Sequence, residues 1–303
     1  MTGRRRRRLI VGVVVAFMAA ATLAACQPSV ESPGGLLVTS RGSLIRLDDA
    51  GALQPVAAAP GGLRQVAAAG RSLVAVTDNG QVLTATAAGP SADGLAWRPL
   101  DVALPADGFT AGIDVSPDGR SLAVVRGHDD ADRLELIVVD LRTGAASTRT
   151  LDIGANGPPS WLTNDELALE VVGDDGTVRV VSVGAGGAAA PDKSRSRGFA
   201  LAATPDGRTI AVADDAAGGV VIRGRRTWWK GDPGEPGGDP PRRDKAVQDV
   251  AIDADGTRLA VVYADGDTDA WTLIVDRLRD GRWETVVSTM LESEPPPTID
   301  WLE

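Results

Sequence analysis

The chain has 303 residues, with one cysteine, one histidine and a formal net charge of −10. A lone cysteine excludes internal disulfides and cysteine-built metal centres. The excess of acid argues against nucleic acid and anionic lipid head groups as partners.

The first element reads as an export signal. Arg4 to Arg8 are five consecutive arginines, followed by an apolar run from Leu9 to Ala25. A stretch of seventeen residues is short for a membrane span but suits the apolar region of a signal peptide. Leu23-Ala24-Ala25-Cys26 is similar to a bacterial lipobox, which makes Cys26 the expected site of lipidation (palmitate among the acyl chains) and residue one of the mature protein. Arg6-Arg7-Arg8-Leu9-Ile10 suits a twin-arginine route as well as a plain basic leader. Residues 1–25 are therefore expected to be removed, and 26–34, with two prolines and two serines, to form a tether. Removing five arginines and no acids leaves 26 basic against 41 acidic residues, a mature charge of −15.

From Gly35 onward the pattern is β. Leu36–Thr39, Ser43–Asp48 and Leu53–Ala57 read as three strands. A phrase then recurs: Ser116-Pro117-Asp118-Gly119-Arg120-Ser121-Leu122-Ala123-Val124 returns as Thr204-Pro205-Asp206-Gly207-Arg208-Thr209-Ile210-Ala211-Val212. A third copy is Asp253-Ala254-Asp255-Gly256-Thr257-Arg258-Leu259-Ala260-Val261, with fainter ones at 69–76 and 163–169. Aligning Leu73, Leu122, Leu167, Ile210 and Leu259 gives steps of 49, 45, 43 and 49 residues. Periods of about 40–50 residues with strand content mark propeller blades, each a four-stranded antiparallel sheet. Pro-Asp-Gly supplies a type I turn closing through a glycine bulge. The continuous apolar run after it suits a strand covered on both faces.

After each such run comes a turn rich in aspartate: Asp78-Asn79-Gly80, then Asp129, Asp130 and Asp132, then Asp174 and Asp175, then Asp214 and Asp215, then Asp265, Asp267 and Asp269. These turns occupy equivalent places and are expected to gather on one face, attracting a cationic partner or holding Ca²⁺. No loop has EF-hand spacing, so solvated hairpin turns are the plainer reading, and no cofactor is expected. Arg225-Arg226-Thr227-Trp228-Trp229-Lys230 reads as an outer strand, leading into a Pro/Gly-rich excursion. Trp228 and Trp229 are candidate partner-binding residues.

Thr298-Ile299-Asp300-Trp301-Leu302 resembles Pro158-Pro159-Ser160-Trp161-Leu162, the first strand of an earlier blade. This strand lacks a blade, and the three N-terminal strands lack a first. The two ends are expected to join in a composite sixth blade, so that 35–303 form one all-β, six-bladed propeller whose C-terminal strand closes the N-terminal blade. At this point the repeats resemble the WD40-like repeats of TolB-type six-bladed propellers. The match departs from the family at Val115 and Ala203, where an aromatic is usual, and at Ala254, which replaces proline. The separate N-terminal domain of TolB proper is not expected in these residues.

Motifs for catalysis are scarce. His128 sits in an acidic loop, and no zinc motif, phosphate-cradling glycine loop or nucleophile elbow is present. The expected function is a non-enzymatic scaffold: an extracytoplasmic lipoprotein, held to the bacterial cell membrane by its N-terminal lipid, that binds an envelope or membrane protein. The alternatives are a Ca²⁺-dependent propeller hydrolase or lactonase, and an accessory lipoprotein of a membrane sensor or transport system.

Overall fold

The computed structural model describes residues 35–48, 51–56, 62–87, 95–105, 109–128, 131–151, 154–155, 157–172, 178–184, 189–190, 200–214, 219–230, 238–241, 243, 245–264, 270–293 and 296–302. These form six antiparallel sheets arranged as a six-bladed β-propeller.

From the centre outward, blade 1 is β24 (Ile299–Trp301), β1 (Leu36–Ser40), β2 (Ser43–Leu47) and β3 (Leu53–Pro55). Blade 2 is β4 (Leu63–Ala69), β5 (Ser72–Thr77), β6 (Gln81–Thr86) and β7 (Arg98–Ala103). Blade 3 is β8 (Phe109–Val115), β9 (Ser121–His128), β10 (Ala131–Asp140) and β11 (Ala146–Leu151). In blade 4, β12 (Gly154–Ala155) and β13 (Ser160–Thr163) share the innermost place against β14 (Glu166–Val172), followed by β15 (Val178–Gly184) and β16 (Ala189–Ala190). Blade 5 has β17 (Leu201–Ala203), β18 (Thr209–Asp214) and β19 (Gly219–Gly224). Blade 6 is β20 (Val247–Ile252), β21 (Arg258–Ala264), β22 (Ala270–Arg279) and β23 (Arg282–Glu292).

Closure occurs as the two chain ends predict. β24 pairs antiparallel with β1, Leu36 opposite Trp301 and Val38 opposite Ile299. Inner strands touch in a complete cycle: β24, β4, β8, β13, β17, β20 and back to β24. A closed ring leaves no inner blade free to open.

The core lies in the seams between blades. Each of the six seams holds its own hydrophobic cluster. This explains the uninterrupted apolar runs. Along β9, Leu122 and Val124 pack toward blade 2, whereas Ala123 and Val125 pack toward blade 4. A strand buried on both faces has no position left for polar alternation.

The recurrent turns close as expected. Gly119, Gly207 and Gly256 have φ of 68°, 62° and 68°. In the first copy Ser116 Oγ donates to Asp118 Oδ1 (2.7 Å) and accepts from Ser121 N (2.9 Å). Thr204 does the same with Asp206 (2.7 Å) and Thr209 (3.1 Å). In the third copy the Asp253 carboxylate replaces the hydroxyl, accepting from Thr257 N (2.7 Å) and Arg258 N (2.8 Å).

One expected strand is a helix. Arg225–Lys230 form α1, a single short helix after β19. Arg225 N donates to Arg208 O (2.7 Å), and Thr227 Oγ1 donates back to Gly224 O (2.7 Å). The first repeats the bond that Leu278 N of β22 makes to Thr257 O, and the second closes the first turn of the helix.

Candidate functional site

The six inner strands surround a central cavity of about 560 Å³. Its wall runs from the strand starts, at Thr110, Pro158, Ala246 and Pro296, to the turns that end them, at Gly70, Pro117 and Pro205. The inner strand of each blade has one edge with no strand beyond it, so its N–H groups need another acceptor.

Three aspartates supply it with one geometry. Asp114 Oδ1 accepts from its own neighbour Val115 N (2.7 Å), and Oδ2 from Trp161 N in the next blade (2.7 Å). Asp249 takes Val250 N (2.9 Å) and, across the seam, Ile299 N (2.9 Å). Asp300 takes Trp301 N (2.8 Å) and, across the next seam, Ala68 N (2.6 Å). Each carboxylate thus pins the inner strands of two blades while bordering the channel. Tryptophan reinforces two seams: Trp161 Nε1 donates to Asp114 O (3.1 Å) and Trp301 Nε1 to Ala251 O (3.2 Å). At Gly112 the strands approach so closely that a Cβ would lie 2.3 Å from Pro158.

The site is electrostatically loaded. Burial pushes the Asp114 carboxyl well above the usual carboxylate range, and the charge of Asp300 adds to this, against its two backbone hydrogen bonds. Burial pushes Asp249 up to about 7, with Asp300 again contributing in the same direction. Both side chains are half-buried, because protein surrounds them on every side but the channel.

Sequence reasoning missed these three residues as a site. The available signal was aspartate inside strand-forming runs, Ile113-Asp114-Val115, Gln248-Asp249-Val250 and Ile299-Asp300-Trp301, where its β propensity is poor.

The acidic turns hold a shared topological place. Those at 129–130, 174–175, 215 and 265–269 each connect the second and third strands of a blade. Phe109 at the head of β8 pairs with Gly127 near the end of β9. Asp129, Asp130, Asp174, Asp175, Asp215, Asp265, Asp267, Asp269 and Cys26 lie outside the described residues. Asp132 is a correction: β10 starts at Ala131, so this residue belongs to the strand and not to a turn. Asp214 ends β18 opposite Gly219. Trp228 and Trp229 fall on α1 and not on an outer strand. Among the described residues no group of three or more His, Cys, Asp or Glu is placed to hold a metal ion.

No family model and no curated protein matches the sequence. Solved structures do match. TolB from Acinetobacter baumannii aligns with a TM-score of 0.57 at 16% identity, covering 88% of this chain and 66% of that one. The chain has the fold of a TolB-like six-bladed propeller. A protein assigned as TolB from Agrobacterium tumefaciens aligns with the TolB-like ring at a TM-score of 0.56 and 13% identity, covering 85% of this chain and 90% of that one. A puromycin hydrolase aligns with it at 0.53 and 18%, covering 87% of this chain and 53% of that one.

Proposed function

We propose that the protein is a binding scaffold: an extracytoplasmic lipoprotein, anchored through Cys26, whose propeller receives a cell-envelope polypeptide at the channel mouth. The supporting observation is the channel itself, a rigid opening lined by three fixed aspartates. Phe109, 45% exposed, heads the inner strand whose next residue lines the channel. Pro296 is exposed on the same wall. An interior bearing the Asp300 charge, with an apolar rim, suits a partner presenting basic and apolar side chains together. Trp228 and Trp229 on α1 are a second proposed contact. Acylation would concentrate the ring at the membrane, which requires the full bacterial lipid modification because one chain binds only marginally.

The enzyme alternative rests on the puromycin hydrolase neighbour. It takes second place because both oxygens of each channel carboxylate accept from backbone N–H groups, an arrangement suited to support. The accessory role in a membrane sensor or transport system differs from the scaffold reading only in the partner.

Gln248 is exposed and lines the channel beside Asp249, so Gln248→Arg puts a cation at the mouth. It should weaken capture of the partner about tenfold or more without changing thermal stability. Undiminished capture would count against the channel. A Cys26→Ser protein that still partitions with membranes would count against the anchor.

A further inference from the structure

Among the described residues, blade 5 is the sheet that stops at its third strand. Where each other blade has a fourth strand, the edge of β19 meets two side chains. Ile222 N–H donates to Asp239 Oδ1 (3.4 Å), and Ile222 O accepts from Arg223 Nη1 (2.7 Å). Arg223 and Asp239 are paired with each other, Nη1 to Oδ1 at 2.6 Å and Nη2 to Oδ2 at 3.4 Å. The pair sets one acceptor and one donor side by side, as a residue of an antiparallel neighbour would.

The segment carrying Asp239 is tied to the other side of the seam. Trp283 Nε1 of β23 donates to Gly238 O (3.0 Å), and Pro240 is buried. Pro240 and Pro241 have no N–H to give, so this stretch cannot continue a ladder along β19. What it brings to the edge is a carboxylate.

The edge needs such cover. β19 reads Gly219-Val220-Val221-Ile222-Arg223-Gly224, with three consecutive β-branched residues and a single charge. Val220 and Ile222 are 3% and 1% exposed, so the edge offers mainly its backbone. An antiparallel strand is complementary to itself about a two-fold axis, so an uncovered β19 can pair with β19 of another copy. We propose that Arg223 and Asp239 form an edge guard that keeps the chain monomeric, and that the occupant of the unguarded edge is β19 of a second copy.

The test is the solution mass of the Arg223→Thr/Asp239→Ala protein against the unaltered one. Light scattering would be run at about 0.3 M salt, where repulsion between acidic copies is screened within roughly 6 Å. The unaltered protein should be monomeric throughout. The double variant should form a dimer whose population rises with concentration, and exchange of its Ile222 amide should slow in parallel. A folded double variant that stays monomeric overturns the proposal, as does a dimer that leaves the Ile222 amide exchanging freely. Should the double change unfold the blade, Asp239→Ala alone serves, since Arg223 still covers Ile222 O. It should dimerise more weakly, and a folded, strictly monomeric protein would again overturn the guard.

Discussion

Trp161 and Asp114 are bound to each other twice across the seam between blades 3 and 4. The main-chain N–H of Trp161 donates to Asp114 Oδ2 at 2.7 Å, and its indole N–H donates to Asp114 O at 3.1 Å. The seam between blades 6 and 1 distributes the same two bonds over different residues: Trp301 gives its indole N–H to Ala251 O, and Asp249 takes Ile299 N. A propeller whose inner strands are one-sided edges is held at its centre by side chains bonding backbone.

Asp114→Ala removes the acceptor of two inner-strand N–H groups at once. Channel water can reach some of that edge, so the expected loss is about 2 kcal/mol, measured as a shift of the urea midpoint with unchanged slope. A loss within about 0.5 kcal/mol, the level of an ordinary surface change, would show that the bonds contribute little.

Asp249 sets a direction for pH. Its folded carboxyl is raised to about 7 from 3.8, so between those values the native state binds more protons than the unfolded chain. The associated destabilisation is absent below about pH 4 and complete above about pH 7, so stability falls as pH rises through that window. Asp114 acts in the same direction. Urea midpoints of the unaltered protein should decline from pH 4.5 to 7.5, and Asp249→Asn should flatten the decline. An equal slope in the variant would mean that Asp249 does not set it.

The turn glycines separate two kinds of cost. Gly281 has φ +75°, and a Cβ added there would meet nothing within 4 Å, so Gly281→Ala should cost only the left-handed strain, about 1 kcal/mol. Gly207 has φ +62° and would place a Cβ 2.0 Å from Leu162 O in the neighbouring blade. Its replacement by Ala should exceed the Gly281 cost by more than about 1 kcal/mol in thermal or urea unfolding. Equal costs would mean that the turn moves freely against blade 4.

The blades were legible because their signals are local. Asp-Gly fixes each of the three clear turns, the apolar run after it fits a strand buried on both faces, and the orphan strand at Thr298–Leu302 matches the strand missing at Leu36. The channel was not legible in the same way. Asp114, Asp249 and Asp300 lie far apart in the chain and not all at one repeat position, so only the ring brings them to one wall. The α1 segment misled because Arg, Thr and Trp suit a strand as well as a turn of helix. What marks the helix is the Thr227 hydroxyl donating back to Gly224 O.

The most direct test of the channel as the recognition site is photo-crosslinking in intact cells, with the reactive residue placed at Gln248 on the mouth or at Glu284 on the outer strand β23. Recognition at the channel predicts one recurrent envelope protein captured from the mouth position and not from β23. Capture from β23 alone, or equal capture from both, would contradict it.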